Sequence, residues 1–368
     1  MNEPFDRKGA ATPSTLQDRR LARNVRRVLP EATLQHHPFF YVPAYDDAMR
    51  WLFFVSHASG RPKIFAEHRP DREIVQLTRR NDLNEWSVHP SHDGRYVYFT
   101  GGSSACRIDM ATLQEEILAD FGDAPMVASG TVGDAMGTTT LSRDDRWWAI
   151  PVKEQTGSRL YMVDTHSCNV ECILEAPIIF HPQFHCEDSS LLRYCGRYDT
   201  RIWVVNRDGS DNRLVYQRDA KRKEWVVHET WIPGRREILA VDWPHGLFRV
   251  AIDSLERSDV SRLNAWHPVT DRTGRRIVTD TRNPDRGICL LDMQGASDAY
   301  EVVCQPAASN RGDHWNTDHC PYDDGPVSVY APQHTHPHPT FSPDGKYVVF
   351  TTDASGQAAV MEAELDVA

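Results

Sequence analysis

The sequence predicts an all-β fold, a seven-bladed β-propeller with four antiparallel strands in each blade. Three observations lead there. A turn-and-strand pattern recurs seven times, with its Asp or Gly turn positions near residues 46, 93, 144, 188, 234, 274 and 345, mostly about 40–50 residues apart, which is the period of a propeller blade. Each copy continues alike, with a second turn and then a strand with charged ends, as in "RIWVVNRDGSDNRLVYQ", so each unit reads as four short strands joined by turns. The chain of 368 residues, 40% hydrophobic and 25% charged, has the composition of a globular protein with a large core.

Taken in order, the units begin with a degenerate copy, "VPAYDDAMRWLFFVSHASG" (42–60). "HPSHDGRYVYFTGG" (89–102), "TLSRDDRWWAIPV" (140–152) and "FHCEDSSLLRYCG" (184–196) follow. The last three are "WIPGRREILAVDW" (231–243), "VTDRTGRRIVTDT" (269–281) and "FSPDGKYVVFTTD" (341–353). Each places a Pro, Asp or Gly turn before an alternating apolar strand, the signature of a hairpin in a half-buried sheet. Residues 31–368 are expected to form one propeller domain. The last two turns are about 70 residues apart, so 306–332 is an enlarged loop, and long loops in compact folds usually carry function. The first 30 residues, with "STLQDRRLARNVRRVL", are expected to lie outside the blades as a tail or basic amphipathic helix.

Charge and composition narrow the function classes. A formal net charge of −11 argues against nucleic acid, which needs a basic footprint. An anionic small substrate remains, provided that a local cation receives it. No apolar run reaches the ~20 residues of a membrane span. The opening "MNEPFDRKGAATPS" lacks the apolar stretch of a secretory signal, so a cytoplasmic location is expected. Eight cysteines without a Cys-x-x-Cys pair read as reduced, mostly core residues. A monomer is the default, with the enlarged loops as the surface a dimer would use.

The histidines carry the chemistry. Aligning the repeats without gaps sets His181, His228, His267 and His338 level, in "HPQF", "HETW", "HPVT" and "HPTF". The first strand of every propeller blade lines the central channel, so four imidazoles should converge on one of its mouths. Ser87 and Thr138 hold the same position in the second and third units. In "QHTHPHP", Gln333, His336 and His338 stand at i, i+3 and i+5 and can present three donors to one ion, with His267 as a fourth. Imidazole suits several transition metals, and the added amide oxygen favours a harder one such as Mn²⁺. No carboxylate joins the set, so the metal keeps its charge and favours an anionic ligand. His334 alternates away from the set.

The repeats, together with "QHTHPHPTFSPDGKYVVFTTD", "HPQFHCEDSSLLRYC", "DTRIWVVNRDGS" and "HETW", resemble the oligogalacturonate lyase family, seven-bladed propellers that cleave short uronate oligosaccharides by β-elimination. The resemblance spans nearly the whole propeller and is strongest from 178 to 356. It implies manganese ligation by Gln333, His336, His338 and His267, a catalytic base at His228, a catalytic arginine at Arg201 in "TRIW", and substrate contacts from His181 and His185. The chain departs from the family where "CGRYDT" replaces an acidic His-Glu-Gly, and in the loop 306–332. Arg201 also admits a second reading as an ion pair at a blade rim, and Glu229 is expected to be an ordinary exposed strand residue.

In that chemistry, removal of the C5 proton of a 4-linked uronate builds charge beside a carboxylate. A divalent metal and Arg201 would offset that charge while neutral His228 accepts the proton. Two other readings stay open: a metalloenzyme of the same channel acting on another modified sugar, including a hydrolase in which the metal activates water, and a non-catalytic propeller binding a partner at its mouth.

Overall fold

The computed structural model describes residues 22–122, 137–154, 156–295, 299–311 and 332–366. Within them lie seven four-stranded antiparallel sheets. Strand β1 is Ala22–Arg27, and the first blade is β2–β5 (Gln35–His36, Trp51–Ser56, Lys63–His68, Glu73–Gln76). Blade two is β6–β9 (His89–Pro90, Tyr96–Gly101, Ser104–Asp109, Glu115–Asp120), and blade three is β10–β13 (Thr140–Leu141, Trp147–Glu154, Gly157–Asp164, Val170–Ala176). Blade four is β14–β17 (Phe180–Phe184, Leu191–Cys195, Thr200–Asn206, Arg213–Gln217), and blade five is β18–β21 (Trp225–Trp231, Glu237–Trp243, Gly246–Ala251, Arg257–Ser261). Blade six is β22–β25 (Val269–Thr270, Arg276–Thr279, Ile288–Asp292, Glu301–Cys304), and blade seven contains β26–β28 (Thr340–Phe341, Tyr347–Thr352, Ala359–Leu365).

Blade seven takes its outer strand from the other end of the chain: β1 pairs antiparallel with β28. The basic N-terminal run, expected as a tail or helix, is therefore a strand over residues 22–27, and residues 1–21 lie outside the described part. The reason is tertiary. The last repeat supplies only three strands and would leave an open edge, and Arg26 is placed to close it. Its Nε donates to Glu362 and its two Nη groups donate to Glu67, each at 2.7 Å. Both glutamates are buried and are also met by Arg69. The clasp thus ties blade seven to blade one.

Seven apolar clusters fill the seven interfaces between neighbouring blades. The cluster between blades five and six stacks Trp225, Trp243 and Trp266 on Leu239, Ile277 and Leu291. The repeated turn has one chemistry. Ser91, Ser142 and Ser342 each donate a side-chain bond to the Asp two residues on and accept the backbone N–H five residues on, an arrangement that fixes the hairpin register. Gly94 and Gly345 follow with φ of 68°, the left-handed conformation that such a turn requires.

Blade one departs from the repeat. Its inner strand is Gln35–His36, well ahead of the turn near Asp46, and the connection between them enters the channel. Phe39 touches the rings of Trp86, His181, His267 and His338, and Phe40 those of His228 and His267. These partners belong to blades two, four, five, six and seven, so the segment lies on the channel axis. It forms a small apolar plug of Phe39, Phe40 and Val42.

Candidate metal centre and its surroundings

The inner strands present the aligned histidines by breaking their own ladders. Register shifts fall between Phe180 and Gln183 in β14, and between Val227 and Thr230 in β18. His181 and His228 sit in these bulges with φ of 46° and 55°, and His338 has φ of 47° just before β26. Left-handed backbone costs a non-glycine residue about 1–2 kcal/mol and persists only where its surroundings over-determine it. A bulge re-aims a side chain, here toward the channel mouth.

His267, His336 and His338 form a buried group whose ligating nitrogens all lie within 4.8 Å of one another. Their ring centroids are 4.0 Å apart for His267 and His338, and 5.7 and 5.6 Å for the two pairs with His336. Gln333, at the start of a short 3₁₀ turn, brings Oε1 to 3.1 Å from His338 Nε2. The four residues expected as a ligand set are therefore together. Burial, then the neighbouring imidazoles, hold His267 and His338 well below the usual imidazole range. The same causes bring His336 down to about 3. All three rings are thus neutral, as metal ligation requires.

The support behind His267 came from a residue that the sequence reading did not single out. Asp280, just past β23, accepts the His267 backbone N–H and the Nδ1–H, both at 2.8 Å. With Nδ1 protonated, Nε2 carries the lone pair, and that atom is buried without a hydrogen-bond partner among the described residues. A carboxylate behind a ring and a bare nitrogen in front is the arrangement that orients a ligating histidine. The donor set fits a divalent ion.

Beside this group sits His228, its ring centroid 4.3 Å from that of His267 and 4.6 Å from Trp266. It lies outside the three-histidine group and is only half-buried. Burial, then the neighbouring His267 imidazole, lowers its pKa well below the ordinary value. His181, also half-buried, takes its place under the plug: the Tyr41 hydroxyl lies 3.0 Å from its Nδ1 and donates to Thr138 at 2.8 Å. Ser87 turns inward, donating to the Asn84 carbonyl.

His185 does not join them. It stands at the far end of β14, where it accepts from the Glu187 and Asp188 amides through Nδ1 and bonds the Arg235 carbonyl through Nε2. Both nitrogens serve the turn, because four residues of strand carry the chain from one mouth of the channel to the other. There it lines a pocket of about 310 Å³.

Arg201 on β16 makes an ion pair, but not at an exposed rim. Its Nε donates to Glu229 Oε1 at 2.6 Å, and its side chain is 11% exposed. Glu229, expected to be exposed, is 1% exposed. The bulge at His228 is the reason: it breaks the alternation that would have sent Glu229 outward. Burial opposes ionisation of this carboxyl, but Arg201 and Arg193 outweigh it and hold the pKa at about 2. Arg193, fully buried, places Nη1 3.7 Å from the carboxylate and 3.0 Å from Cys195 Sγ. In the expected loop 306–332, residues 312–331 lie outside the described part.

A family model described as oligogalacturonate lyase matches residues 6–367. An oligogalacturonide lyase of Pectobacterium atrosepticum is 24% identical over 95% of both chains, and an oligogalacturonate lyase of Dickeya dadantii is 23% identical over the same shares. Among solved structures, an oligogalacturonate lyase from Vibrio parahaemolyticus superposes with a TM-score of 0.78 at 21% identity over 98% of both chains. An oligogalacturonate lyase in complex with manganese gives 0.77 at 20%, over 98% of this chain and 97% of the other. These likenesses confirm the seven-bladed fold, and with the family match across nearly its whole length the chain belongs to the oligogalacturonate lyase family.

Proposed function

We propose that the protein is a manganese-dependent lyase that cleaves short oligogalacturonates by β-elimination. The observation that carries this reading is the pairing of two environments at one mouth. A buried group of three neutral imidazoles and an amide oxygen lies beside a half-buried imidazole that is not part of it. Gln333, His267, His336 and His338 would hold the ion. Bound there, it supplies Lewis-acid neutralisation of the charge that grows on the uronate carboxylate.

The chain's own residues do the rest. His228 is the base that takes the C5 proton; its lowered pKa keeps the ring unprotonated at neutral pH. Arg201, fixed by Glu229, shares the carboxylate charge through its guanidinium. His181 stands at the same mouth as a substrate contact, with its Nδ1 turned to Tyr41. The plug of Phe39 and Phe40 excludes water from the inner side of the site.

Mass analysis of the products separates elimination from the hydrolytic alternative. In elimination the two product masses sum to that of the substrate, and one product carries a new double bond. Products heavier by one water in sum would replace this reading with the hydrolase.

A further inference from the structure

Glu229 stands where two parts of the proposed chemistry meet, and this inference rests on the lyase reading above. We infer that Glu229 is a positioning residue, which fixes the Arg201 guanidinium through its carboxylate and the His228 bulge through its backbone carbonyl. The carbonyl is freed from the β18 ladder by the bulge, and a freed buried carbonyl must find another partner. It accepts from Gln183 Nε2 at 3.1 Å and from Arg193 Nη2. The carboxylate takes Arg201 Nε at 2.6 Å and Nη2 at 3.5 Å on one side and the Cys195 thiol at 2.8 Å on the other. Burial pushes that thiol up to about 12, so it is a neutral donor.

Glu229 meets two arginines, Arg201 through Nε at 2.6 Å and Arg193 through Nη1 at 3.7 Å. Anchoring Arg201 by Nε and one Nη fixes the plane of the guanidinium, and such alignment decides how well it follows a carboxylate into the transition state. The dipeptide His228-Glu229 therefore aims the base with one residue and the arginine with the next.

The test is a double-mutant cycle on the full-length, Mn²⁺-loaded protein. Glu229→Gln should lower kcat by on the order of 10²-fold with KM changed by less than about threefold. In an Arg201→Lys background the same substitution should change kcat by less than about threefold, because the group it acts through is gone. Equal losses in both backgrounds would overturn the inference and leave Glu229 a structural residue. Should Glu229→Gln fail to fold, Glu229→Asp keeps the charge and carries the same cycle. A second readout needs no turnover: the Arg201 Nε–H resonance, assigned by its loss in Arg201→Lys, should be protected in the parent and lost or fast-exchanging in the Glu229 variant. Persistence of that resonance in the variant refutes positioning by Glu229. A parent protein that shows the protected resonance but no elimination would instead refute the lyase reading alone.

Discussion

Replacing Asp280 with asparagine should weaken metal binding by about 10–100-fold while leaving the fold intact. The magnitude follows from two bonds. Asp280 Oδ1 and Oδ2 accept the backbone N–H and the Nδ1–H of His267, each at 2.8 Å. Asparagine offers one acceptor where the aspartate offers two. If its oxygen serves the backbone amide, its NH₂ faces Nδ1, and the ring must move its proton to Nε2, the atom that would bind the ion. If the oxygen serves Nδ1–H instead, the amide of His267 meets a second donor. Either way a buried group loses its bond, at about 1–3 kcal/mol, which is the range of support lost when a ligating histidine's outer partner is removed. Titration of metal-stripped protein with Mn²⁺ by calorimetry, with the urea midpoint measured alongside, reads the effect. A dissociation constant within about threefold of the parent's, in a folded variant, would refute this account of how His267 is held.

Three further outcomes are expected. The Glu229 carboxyl is held at about 2 against an ordinary 4.5; because the folded pKa is depressed, its stabilisation is present above pH 4.5 and lost as pH falls toward 2. The stability difference between the parent and Glu229→Gln should therefore shrink across that window by on the order of 3 kcal/mol, read by urea unfolding at stepped pH; a constant difference would contradict it. His228 is neutral well below pH 6.5, so the acid limb of kcat/KM should fall below pH 6.5, and a limb at or above that value would remove His228 as the base. Arg26→Met leaves Glu67 and Glu362 buried with Arg69 and Arg72 as their remaining cations among the described residues, and should cost about 3 kcal/mol in unfolding free energy. A cost under about 0.5 kcal/mol would mean that the clasp does not close the ring.

The blades were legible because the Asp and Gly turns recur mostly about 40–50 residues apart and each is followed by a short apolar strand. What escaped was wherever alternation breaks. The run 22–27 carries two apolar residues, Ala22 and Val25, beside three arginines and reads as a tail or basic amphipathic helix; pairing with the open edge of β28 makes it a strand. Glu229 was misplaced because a one-residue bulge, invisible in the sequence, moves its side chain to the other face. His185 was drawn into the site by the family resemblance around "HPQFH", although the length of β14 separates it from His181. The grouping of Gln333, His336, His338 and His267 was legible because the first three lie within six residues and His267 shares their register. Asp280 was not, since its partner is 13 residues away across a hairpin. A signal did exist: a charged residue ending the apolar run "RIVTD" is out of place unless something buried needs it. Phe39 and Phe40 follow a His-Pro like those of the other blades, yet belong to no strand. Only their ring contacts identify them as a plug.

In the proposed mechanism the histidine group holds a metal while His228, outside it, does the proton transfer. Metal-stripped protein should be given saturated and unsaturated digalacturonate with and without Mn²⁺, and the product followed by ultraviolet absorbance and α-keto acid formation. Product is expected only when Mn²⁺ is added. His228→Ala should bind Mn²⁺ as the parent does yet lose at least about 10²–10⁴-fold in rate. Turnover by the stripped protein without metal, or full activity in His228→Ala, would contradict that mechanism.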